Sequence, residues 1–65
     1  REQALLLLRS AHQRYPNDVD ILVALLSMSR EAGDRQAALA YARQLAALLP
    51  DNADVGRLLA ELEAR

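Results

Sequence analysis

A block of six residues, Pro16-Asn17-Asp18-Val19-Asp20-Ile21, returns 34 positions later as Pro50-Asp51-Asn52-Ala53-Asp54-Val55. The segment before each proline keeps the same offset, with Arg1, Ala4, Leu5 and Arg9 matching Arg35, Ala38, Leu39 and Arg43. Two blocks in one register, each closing on a proline, mark an internal repeat. A period of this length carried by helical patterns belongs to a stacked array, in which each unit buries its apolar face only against its neighbours.

Sixty-five residues make one domain at most, near the lower limit at which a core outweighs the entropy of ordering it. With no Phe or Trp and two Tyr, that core must come from Leu, Ala, Val and Ile, which suits closely packed helices. Eight basic against nine acidic residues leave a net charge of -1, which supplies no electrostatic footprint for nucleic acid or an anionic membrane. The absence of cysteine excludes disulfides, cysteine-ligated metals and thiol nucleophiles, and leaves the compartment open. There is no initiator methionine, signal peptide or apolar run of transmembrane length, so no membrane insertion is expected. The chain begins inside a helical pattern and reads as the C-terminal part of a larger protein.

Taken in order, Ala4, Leu5, Leu8 and Ala11 fall at helical spacing over 2–14, with Leu6 and Leu7 widening the apolar face. Tyr15-Pro16 ends this helix, because proline cannot continue the ladder and pushes its predecessor out of the α region. Asn17-Asp18 caps a second helix, about 18–32, with Asp20 in its first turn and Ile21, Leu22, Leu25, Leu26 and Met28 over most of its circumference. Gly33 is placed for the left-handed C′ position and Asp34 for the cap of a third helix, 35–49, which must run antiparallel after so tight a turn. Pro50 stops it, and Asp51-Asn52 caps a fourth helix with one clean stripe of Val55, Leu58, Leu59 and Leu62. Gly56 inside that helix fits either a close approach of two backbones or a tolerated weakness.

These residues resemble the tetratricopeptide repeat (TPR) family, whose unit is two antiparallel helices of 34 residues. Leu22 and Leu25 fall where the family has its first-helix tryptophan or leucine and its leucine. Ala38 falls on the second-helix alanine, Gly33-Asp34 on the inter-helix turn and Pro50 on the closing proline. Leu26, Ser29, Ala42 and Leu45 depart from the pattern. Two small positions have become large and two large ones small, which is expected to conserve core volume. The resemblance implies an all-α fragment of a right-handed superhelix with four helices. Residues 1–18 would be the second helix of a preceding repeat, 19–52 a complete repeat and 53–65 a capping helix. It also implies a concave groove, lined by first helices, that accepts an extended or helical peptide.

The pattern holds such a strip independently. Asp20, Val23, Ser27 and Glu31 lie at i, i+3/i+4 spacing on the side of the second helix that its core residues do not need. Asp54, Arg57 and Glu61 follow one period after the first three. Together they form the expected peptide groove, although a plain solvated face would carry the same residue types. A carboxylate clamp of the kind some family members have is not expected, since Val23 and Ser27 stand where its lysine and asparagine would be. Arg57 is expected to pair with Glu61 on the surface.

Nothing points to catalysis, a metal or a cofactor. His12, the only histidine, has no second ligand at metal spacing and reads as a surface residue near a helix C-terminus. Ser10, Ser27 and Ser29 lack a base, and the Asp-rich segments lack the glycine and distal glutamate of a calcium loop. A related 35-residue repeat that reads RNA conflicts with both the period and the charge.

The leucine run from Leu5 to Leu8 lacks the helix that would normally cover it. An exposed apolar patch is expected around Ala4, Leu8 and Ala11, able to drive homodimerisation, unless the first helix rotates to bury it. The expected function is a non-catalytic module that binds a protein or peptide partner in its groove. The alternative is a structural solenoid end-cap or homodimerisation unit with no ligand of its own.

Overall fold

Three side-chain oxygens start three of the helices. In the computed structural model, which describes residues 2–64, the chain forms α1 (Glu2–Arg14), α2 (Val19–Glu31), α3 (Arg35–Leu48) and α4 (Ala53–Glu63). Arg1 and Arg65, which open and close the expected repeat units, lie outside the described residues. Asp18, Asp34 and Asn52 accept hydrogen bonds from the backbone N–H of Ile21, Ala37 and Val55 at 3.2, 3.1 and 3.1 Å. Each satisfies a donor that the first helical turn leaves without a partner.

The turn between α2 and α3 is a Schellman motif. Gly33 takes φ 76°, its N–H donates to the Arg30 carbonyl at 3.1 Å, and the Asp34 N–H donates to the Ser29 carbonyl at 2.9 Å. Asp34 therefore closes one helix with its backbone and opens the next with its side chain.

The 34-residue period is written into the backbone as well. Tyr15 N–H donates to the Ala11 carbonyl at 2.8 Å and Leu49 N–H to the Leu45 carbonyl at 2.8 Å. Asp18 to Tyr15 and Asn52 to Leu49 are both 3.1 Å, as are Leu22 to Asp18 and Gly56 to Asn52. Each pair is one period apart, so the exit from α1 and entry into α2 repeat as the exit from α3 and entry into α4.

Each helix packs against the next in the chain, and the most extensive contact is between α2 and α3. Leu22 and Leu26 of α2, Ala38, Ala42 and Leu45 of α3 and Leu62 of α4 form one buried cluster. Leu26, Ala42 and Leu45, whose sizes were expected to compensate one another, thus share one core. Leu25 of α2 is fully buried but outside that cluster. No strand occurs among the described residues.

Candidate partner-binding groove

A cavity of about 570 Å³ opens between the C-terminal halves of α2 and α4, over the start of α3. Its apolar lining is Ala38, Leu58 and Leu62, and its polar lining includes Ser27, Arg30, Glu31 and Glu61. Gly33 and Arg35 complete it. The Arg35 Nε and Nη2 donate to the Leu62 carbonyl at 3.3 and 3.0 Å. A guanidinium suits that place, because the last carbonyls of a helix lack intrahelical donors and carry the negative end of its dipole.

The expected strip divides along the helix axis. Ser27, Glu31 and Glu61 line the cavity, whereas Asp20, Val23, Asp54 and Arg57 are exposed but lie outside it, in the N-terminal halves of their helices. Arg57 pairs with Asp54 at 2.6 Å rather than with Glu61, and both side chains are open to water, so the bond adds little stability. Among the described residues, Glu31 and Glu61 have no ion-pair partner, while Glu63 meets Arg43 at 3.5 Å.

Arg35, Leu58 and Leu62 were not expected in the groove. The two leucines carry a double signal: they belong to the apolar stripe of α4, yet Leu58 is only half-buried and its edge is left to the cavity.

On α1 the apolar surface sits elsewhere than expected. Ala4 is exposed, but Leu8 and Ala11 are half-buried, and the large exposed side chains are Leu6 (63%) and Leu7 (72%). The helix turns Leu5, Leu8, Ala11 and His12 inward on its arc toward the bundle, which moves its outer apolar face to Leu7. His12 is likewise not a free surface residue. Its ring is half-buried, edge-on to Tyr41 at 6.0 Å and 86°, with Nδ1 buried and without a hydrogen-bond partner.

Among the described residues, no helix is long and apolar enough to cross a membrane, and no three acidic, histidine or cysteine side chains gather to hold a metal ion. The chain matches no protein-family model, no curated protein and no solved structure.

Proposed function

We propose that the chain is a non-catalytic protein–protein interaction module of the tetratricopeptide type, with a right-handed stacking of its repeat units, and that it binds a partner peptide in the groove between α2 and α4. The supporting observation is that two helices one period apart place Ser27, Glu31 and Glu61 around a single concavity of about 570 Å³. A pocket of that size accommodates side chains of a docked segment, within the range of roughly 300–1,000 Å³ usual for binding sites. Ala38, Leu58 and Leu62 offer burial to an apolar side chain, and the charged residues form a polar rim, the arrangement of a protein interface.

The test is capture from a lysate with three chains: wild type, Ser27→Arg/Glu61→Arg inside the groove, and Val23→Glu/Arg57→Glu outside it. All four positions are exposed, so the fold should survive, as circular dichroism checks. A partner held by wild type and by the outer variant but lost by the inner one supports the reading. Identical capture by all three, or none by any, overturns it in favour of a structural end-cap.

A further inference from the structure

We infer that the segment held between α2 and α4 carries a lysine or arginine next to an apolar side chain, so that the partner is a basic, amphipathic peptide. This inference rests on the groove reading proposed above and adds the chemistry of the occupant.

Arg30, Glu31, Arg35 and Glu61 all line the cavity, and their formal charges cancel. Their places in the fold are not equivalent. Arg35 donates two hydrogen bonds to the Leu62 carbonyl in the last turn of α4, and Arg30 stands in the last turn of α2. At each place a cation offsets the negative end of a helix dipole, so the fold itself accounts for both arginines. The glutamates do the reverse. Glu31 is the last residue of α2 and Glu61 lies in the last turn of α4, where a carboxylate opposes the dipole. Glu63, in the same turn as Glu61, meets Arg43 at 3.5 Å, but among the described residues Glu31 and Glu61 have no ion-pair partner.

The backbone tips the balance further. The C-terminal ends of α2 and α4 each add about half an elementary negative charge, so the cavity as a whole is negative by about one charge. The positive end of α3, which Gly33 and Arg35 bring to the same place, is covered by its own cap, since the Asp34 side chain accepts from the Ala37 N–H at 3.1 Å. A cation from outside meets a carboxylate on each of the two framing helices. The edge of Leu58 that the cavity leaves open lies beside them, where the stem of a lysine or arginine and a neighbouring apolar side chain can pack. An acidic segment would bring like charge against both glutamates and both helix ends.

Selection from a phage-displayed library of random short peptides tests this with three chains. These are wild type, Glu31→Gln/Glu61→Gln, which removes two charges at nearly constant shape, and Ser27→Trp, which places a large neutral ring in the cavity wall. All three positions are exposed, and circular dichroism verifies that each variant folds. Wild type is expected to enrich sequences with a lysine or arginine beside an apolar residue. A selected peptide should bind the glutamine variant about tenfold more weakly, the effect of losing two solvent-exposed charge pairs. That gap should close as salt rises, and Ser27→Trp should not hold the peptide. Enrichment without a basic excess overturns the inference, and so does a selected peptide that the glutamine variant holds as tightly as wild type. If Ser27→Trp still loses such a peptide, the groove stands as the site with a different guest. No enrichment at all, or peptides that Ser27→Trp holds as well as wild type does, removes the groove itself and the inference with it.

Discussion

The Arg35 guanidinium reaches from the first residue of α3 to the last turn of α4 and donates two hydrogen bonds to the Leu62 carbonyl oxygen. It joins residues 27 positions apart and ties down the last turn of α4 beside the groove. Arg35→Met keeps the aliphatic stem and removes the donors. The expected loss is about 1 kcal/mol, at the low end for a charged donor because the residue is partly in water. Amide exchange in the last turn of α4 should quicken more than in α2, and Arg35→Lys should restore only part of the loss, since one ammonium does not reproduce the fork. Unchanged exchange in α4 would show that the contact does not hold the helix.

The two glycines should respond to alanine with opposite signs. Gly33 sits at positive φ, where a Cβ is strained, so Gly33→Ala should cost about 1 kcal/mol. Gly56 lies in an ordinary helical position with open space around it, so Gly56→Ala should add about 0.5–1 kcal/mol. Thermal melts of the two variants should bracket the wild type, and equal shifts would contradict both assignments.

Leu45 is 1% exposed and shares its cluster with Ala42 and Leu26. Leu45→Ala should cost about 2–5 kcal/mol, enough to unfold much of so small a chain, while the near-isosteric Leu45→Met should cost less than about 1.5 kcal/mol. Urea titration separates the two. If alanine is tolerated, the leucine does not fill the volume left by Ala42.

His12 combines a useful ring contact with an unmet polar atom. His12→Phe keeps the edge against Tyr41 and removes the buried Nδ1, so stability should rise by about 1 kcal/mol. His12→Ala should fall below wild type, because it gives up the aromatic contact. A phenylalanine variant no more stable than alanine would mean that the ring contributes nothing.

Local features were legible because local chemistry decides them. Asp18, Asp34 and Asn52 sit where short side-chain acceptors meet free N–H groups, and Gly33 is where the backbone needs a left-handed residue. Features that depend on how helices cross were not. Arg35 reads as an ordinary surface residue until the end of α4 is seen beside it. The spacing placed Asp20, Val23, Asp54 and Arg57 on the same faces as Ser27 and Glu61, but only the C-terminal halves of α2 and α4 frame the cavity. Helical periodicity likewise grouped Ala4 with Leu8, while the seat of α1 on α2 decides which of them water reaches.

At backbone distance, each described helix meets only the helix next to it in the chain. A fold assembled this way closes no long loop before it gains a contact, which makes for rapid folding. It also has no keystone. The α2–α3 hairpin holds the largest contact and should be the last part to melt, with α1 and α4 peeling from its two sides by separate steps. Hydrogen exchange should then fall into three tiers rather than one, and truncating α1 should cost the molecule a single interface while the rest stays folded.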